Sequence, residues 1–292
     1  PLLVKQGFKG RILATQPTRE LTEIVLMDAA RLQEEEFKKW KSKPRDEKFN
    51  EKSSSEGSLY SNREPMYTQE DIEQLMQHFD VYPIGDSVDL HNGVEFRFRD
   101  SGHILGSVII EMWLKNEVER VRKVVFSGDL GQQGQRIVRD ADLIREADYV
   151  IVESTYGNRV HKNKDETVLE FLSILKEAQQ HGGNILIPSF AIERTQEIMY
   201  ELNLFYENRL ISDLPVYIDS PMASKATAVF RQFPSFYDED AQRLLEKGDD
   251  PFKFAGLHEI ESVDESKRLI SKRGVVIIAG SGMCTGGRIV HH

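Results

Sequence analysis

Three short runs place a metal-binding or acidic side chain where an apolar stretch stops. Asp100–Ser107 reads DSGHILGS and presents His103, VVFSGDLG presents Asp129, and VIVESTYG presents Glu153. Strands of one sheet deliver their ends to a common edge, so the three side chains are expected to meet there. A neutral imidazole nitrogen and a carboxylate able to bridge two ions are suitable zinc ligands. A carboxylate such as Glu153 suits a supporting place behind the metal, where it would orient a histidine. By spacing alone His103 also reads as a hydrogen-bonded loop residue and Asp129 as a turn residue, and both readings stay open. Two ligands do not make a site, because a catalytic zinc takes at least three from the protein.

A second group lies further along. SGMCTGGR follows a buried strand, and Gly282, Thr285, Gly286 and Gly287 are small enough to let a backbone approach a ligand closely. If a helix follows, its first amides would hold a phosphate and Arg288 would add charge. IPSFAIERTQE puts Ser189 at a strand end and Arg194 in the first turn of the next helix, and DSPMA puts Asp219 and Ser220 at a third strand end. The carboxyl edge of a parallel sheet is the usual ligand crevice. The alternatives are that the glycines only make a turn and that Arg194 pairs with Glu197. The loop matches neither the Walker pattern nor GxGxxG. Cys284 has no base beside it and reads as a small buried or loop residue. His78, His91 and His181 read as surface or capping residues, and His161 as solvent-facing.

The elements that must position these groups change character along the chain. GRILATQPTREL predicts a short strand, a turn at Pro17 and a helix with Leu21, Val25, Ala29 and Leu32 on one stripe. Glu34 to about Pro65 is charged and poor in apolar residues, which predicts a mobile loop or helical hairpin with a disordered Ser-rich part. TQEDIEQLMQHF predicts a helix capped by Thr68, with Asp71 three residues on. Strands are expected at Ser87–Leu90, Val94–Phe98, Val108–Leu114 and Val121–Phe126, and one more, buried, ending at Glu153. Beyond about residue 160 strands and helices alternate, which predicts a parallel sheet with helices on its faces. The 292 residues fit one large domain or two ordinary ones. No run approaches the ~20 apolar residues of a membrane span. The single cysteine excludes internal disulfides and fits a reducing, cytoplasmic setting. A net charge of -10 argues against broad, charge-driven attraction to nucleic acid, so any phosphate binding must be local.

DSGHILGS, FSGDLG and VIVESTYGNR resemble three successive motifs of the metallo-β-lactamase superfamily, in its RNA-processing β-CASP branch. IPSFAIERTQEIMYEL, IDSPMA and GSGMCTGGRIVHH resemble the β-CASP insertion, and PLLVKQGFKGRILAT the stretch after the family's first metal motif. The resemblance spans nearly the whole chain, in order. It implies an α/β fold: a partial metallo-β-lactamase-type αββα sandwich over residues 1–160, with an inserted β-CASP domain of parallel sheet flanked by helices over 161–292. It implies that His103 binds one zinc, that Asp129 bridges two, and that Glu153 is the acidic residue supporting a later histidine. Ser189, Arg194 and the Ser281–Gly287 loop, with Gly282, Thr285, Gly286 and Gly287, would line a path for single-stranded RNA. The implied chemistry is phosphodiester hydrolysis by a water that two zinc ions activate. A homodimer and an RNA-processing complex both fit this reading.

Departures from the family pattern matter too. The family's His-x-His-x-Asp-His run would lie before Pro1 and its later histidines beyond His292, so the chain is expected to be a fragment that is inactive alone. The family position of Ile192–Glu193 often carries small residues, and Glu193 puts an acid close to the phosphate path. The competing readings are a non-catalytic scaffold subunit and a small-molecule hydrolase of the same superfamily; the second block counts against the latter. The sequence does not separate endo- from exonucleolytic cleavage.

Overall fold

The computed structural model describes residues 1–42, 64–116, 118 and 120–292. It forms two compact units, Pro1–Tyr82 and Pro83–His292. No helix among the described residues is long and apolar enough to cross a membrane.

The first unit contains α1 (Leu2–Lys5), β1 (Ile12–Ala14), α2 (Gln16–Ser42), α3 (Gln69–Met76) and β2 (Phe79–Val81). β1 and β2 pair in parallel. Pro17 lies within the first turn of α2 rather than in a turn before it, where its fixed φ suits a helix and its missing N–H costs nothing. The buried stripe also differs from the expected one. Ala30 is fully buried with Ile72 and Met76, and Leu26 and Met27 pack on them, whereas Val25 and Leu32 are exposed. Glu34–Ser42 continues α2, which fits the helical rather than the loop alternative, and Gln33 and Glu34 have partners. Their side chains accept the Met66 and Gln69 amides at 3.0 and 2.9 Å. The Ser-rich stretch of that expectation lies outside the described residues. Thr68 and Asp71 form the predicted capping box. His78 falls just past α3, its Nδ1 2.8 Å from the Gly10 carbonyl.

The second unit holds two sheets. The five-stranded sheet runs β3 (Ser87–Asp89), β4 (Val94–Asp100), β5 (Val108–Lys115), β6 (Val121–Phe126) and β7 (Tyr149–Ile151), in that order. Its first three pairings are antiparallel and β6–β7 is parallel. β4 alternates, burying Phe96, Phe98 and Asp100 on one face. The four-stranded sheet is all parallel, ordered β10 (Leu257–Glu259), β9 (Val216–Asp219), β11 (Val276–Ala279), β8 (Ile185–Pro188). Every residue of β9 and β11 is buried, the pattern of central strands covered on both faces.

Helices α4 (Lys164–His181), α5 (Arg194–Glu207), α6 (Pro221–Gln232), α7 (Glu239–Glu246) and α8 (Val263–Leu269) lie between those strands in the chain, α4 before β8 and both α6 and α7 between β9 and β10. α4 is capped by the Asn163 side chain and closed by Gly182 in the left-handed region. α6 starts with Ser220 as N-cap and Pro221 in its first turn. The α/β class and the parallel sheet agree with the sequence expectation. α7, α8 and β10 were not expected, since none carries a long apolar run.

Candidate active site

β4, β6 and β7 run in one direction, so their carboxyl ends share an edge of the five-stranded sheet. His103 and Asp129 meet there, Nε2 to Oδ2 at 3.8 Å. Two ligands of one tetrahedral zinc, with bonds of about 2.0 Å, lie about 3.3 Å apart, so the pair has suitable chemistry and nearly suitable spacing. Both side chains are open to solvent, at 42% and 74% exposure. Among the described residues no third His, Cys, Asp or Glu completes a metal-holding group.

The loop carrying His103 is held from several sides. Asp100 Oδ1 accepts the Gly102 amide at 3.2 Å, and Arg139 pairs with Oδ2. Burial pushes the Asp100 carboxyl above its ordinary pKa, and the Gly102 amide and Arg139 oppose that shift. Ser101 Oγ donates to Ser107 Oγ at 2.7 Å, closing the loop on itself. Gln135 Nε2 donates to the His103 carbonyl at 3.0 Å. Against this loop lies the one carrying Asp129, and the Gly131 amide donates to the Ser101 carbonyl at 2.9 Å. A Cβ at Gly131 would fall 1.6 Å from the Gly102 carbonyl oxygen, so only glycine permits this approach.

Glu153 fixes the Asp129 loop from the other side. Its Oε2 accepts the Thr155 amide at 3.0 Å and its Oε1 the Leu130 amide at 3.2 Å. Hydrogen bonds from Thr155, then from Leu130, hold this carboxyl below the usual carboxylate range. Its partners in the structure are thus the Leu130 amide, next to Asp129, and Thr155 on its own loop.

The second group gathers at the carboxyl edge of the parallel sheet, where Pro188, Ala279 and Asp219 stand side by side in register. Ser189 is buried, its Oγ donating to the Phe190 carbonyl at 3.1 Å and accepting from Thr195 Oγ1 at 3.0 Å. Arg194 pairs with Glu197 at 2.8 Å yet leaves 65% of its side chain exposed. In the glycine loop, Gly282 packs under the Phe190 ring, Thr285 and Gly287 are exposed, and Gly286 is half-buried. Ser281 Oγ is buried with no hydrogen-bond partner. The expected helix after the loop is a 3-10 turn, Arg288–His291. Arg288 is bound to Asp219, which also meets His292 Nε2 at 2.7 Å and accepts Ser266 Oγ at 2.5 Å. His292 is therefore part of the fold.

Sequence reasoning missed Gly131, Gln135 and the buried carboxyl of Glu193. Gly131 had the visible signal of a glycine two residues after a candidate ligand. Gln135 had none. Glu193 was visible only as an acid where small residues are usual.

Residues 195–292 match the Beta-Casp domain. Ribonuclease TTHA0252 of Thermus thermophilus is 34% identical over the whole chain, which covers 59% of that protein. Transcription termination factor FttA of Methanocaldococcus jannaschii is 28% identical over the whole chain, 42% of its own length. An RNase J-like protein from the same organism is 30% identical over 77% of the chain and 52% of its own length. The chain spans about half the length of the curated relatives it matches. Over residues 195–292 it belongs to the Beta-Casp domain family, and these relatives align with most or all of the chain.

Proposed function

We propose that the protein containing this chain is a zinc-dependent ribonuclease that hydrolyses phosphodiester bonds of single-stranded RNA, with two zinc ions at the complete site. The observation that carries the reading is the His103–Asp129 pair, 3.8 Å apart at a common strand edge. The names of the ribonuclease relatives support RNA as the substrate. His103 and Asp129 would hold the metal, and Glu153 keeps the Asp129 loop in place through the Leu130 amide. Bound zinc supplies a water that ionises near neutral pH and positive charge against the phosphate. In the region beyond residue 160, the unpartnered Ser281 hydroxyl can donate to a phosphate oxygen, and the exposed Arg194 offers charge. The glycines beside Ser281 let a nucleic-acid backbone come close.

The test uses the whole protein that carries this chain. It is expected to retain about two zinc ions per chain and to cleave single-stranded RNA, and Asp129→Ala should abolish cleavage. A protein that holds no zinc, with Asp129→Ala changing nothing, ends the reading.

A further inference from the structure

Glu193 stands immediately before α5 with φ +63° and ψ −62°. A positive φ in a residue with a Cβ is uncommon, and it persists only where the surroundings over-determine it. The residue is 5% exposed. Its Oε2 accepts the amide of Leu105 at 3.0 Å, across 88 positions of sequence. Leu105 is itself buried and lies two residues after His103. Glu193 Oε1 is buried without a hydrogen-bond partner. The Glu193 carbonyl accepts the Glu197 amide at 2.8 Å, so the helix bearing Arg194 begins at once. Burial, then the Glu197 carboxylate, push the Glu193 carboxyl well above the usual carboxylate range. The acid near the phosphate path therefore resists ionisation, which removes the repulsion expected of it.

We propose that Glu193 is a positioning residue: its hydrogen bond to the Leu105 amide ties the His103 loop to the first turn of α5, fixing the metal-binding side chain relative to Arg194. This rests on the ribonuclease reading. A plain helix cap would not explain the bond, because Oε2 satisfies an amide on a distant loop and no amide of α5. A plain packing residue would not explain an acid whose second oxygen goes unpaired.

Two variants of the whole protein test it. Glu193→Gln keeps an oxygen within reach of Leu105. Glu193→Asp keeps the acid but withdraws it by one methylene. In the metal-free protein, Glu193→Asp is expected to speed hydrogen exchange of the Leu105 amide at least about tenfold, and Glu193→Gln to leave it within about threefold. With zinc and single-stranded RNA, Glu193→Asp should lower kcat about 10- to 100-fold with KM little changed, and Glu193→Gln should stay near wild type. Unchanged Leu105 exchange in Glu193→Asp overturns the proposal. So does faster exchange with kcat held at the wild-type value, since the contact would then be structural only. If Glu193→Gln loses kcat as Glu193→Asp does, the proton matters rather than the reach, and the proposal again falls. If the wild-type protein does not cleave RNA, the ribonuclease reading fails separately, and the Leu105 exchange rates still decide whether Glu193 holds the loop.

Discussion

Replacing Gly131 by alanine tests how the candidate metal pair is held. The new Cβ would lie 1.6 Å from the Gly102 carbonyl oxygen, 2.2 Å from its carbon and 2.9 Å from the His103 nitrogen. All three obstacles are backbone atoms, so no rotamer change relieves them. Restoring a contact of about 3.0 Å requires the two loops to part by about 1.4 Å. A metal site tolerates errors of about 0.2 Å in its ligand distances, and His103 moves with its loop. Overpacking of this kind costs about 1–3 kcal/mol, or roughly 3–9 °C in melting temperature for a domain of this size. Zinc affinity should fall at least about tenfold, the lower range for disturbed metal supports. Scanning calorimetry of the metal-free protein and a zinc titration would measure both effects. Gly183→Ala is the control, because a Cβ there meets nothing within 4 Å. If Gly131→Ala melts within about 1 °C of wild type and binds zinc as tightly, the loop contact does not set the site.

Three more outcomes are expected. Arg194→Ala should weaken single-stranded RNA binding and reduce the salt slope by about 0.7, the share of one phosphate contact; an unchanged slope removes Arg194 from the RNA path. Thr68→Ala should cost about 1 kcal/mol in urea unfolding of the first unit, because it removes the side chain that accepts the Asp71 amide; no change would mean that other contacts fix that helix start. Glu193→Gln should change how stability responds to pH. The folded Glu193 keeps its proton above the pH, about 4.3, at which the unfolded chain releases it, so stability falls as pH rises through that window. Glutamine has no proton to lose, so the variant's melting temperature should match wild type near pH 4 and exceed it toward pH 8; an equal difference at all pH values would contradict this.

The strand framework was legible because its signals are local. β4 alternates in burial, β11 is a continuous apolar run, β9 is apolar up to Asp219, and Thr68 with Asp71 forms a capping box. His103 and Asp129 could be placed together because strand ends converge, without any knowledge of which loop touches which. What stayed hidden depends on pairings far apart in sequence. The Leu105–Glu193 bond spans 88 residues, and no spacing rule reaches that distance. The buried stripe of α2 centres on Ala30 rather than Ala29, because Ile72 of another helix selects the face. Arg288 and His292 both meet Asp219, from 69 and 73 positions away. The domain boundary near residue 160, expected from the onset of strand–helix alternation and from the family resemblance, stands as a proposal.

The strand order of the parallel sheet also bears on how the chain is made. β8 has one neighbour in its sheet, β11, which pairs residues 276–279 with 185–188. During synthesis β8 leaves the ribosome with its partner still unmade. At about 5–20 residues per second the gap lasts roughly 4–18 s. β9 gains its second neighbour at the same moment, since β11 inserts between the two. The carboxyl edge of this sheet is thus assembled in one late step, by the strand that leads into the glycine loop.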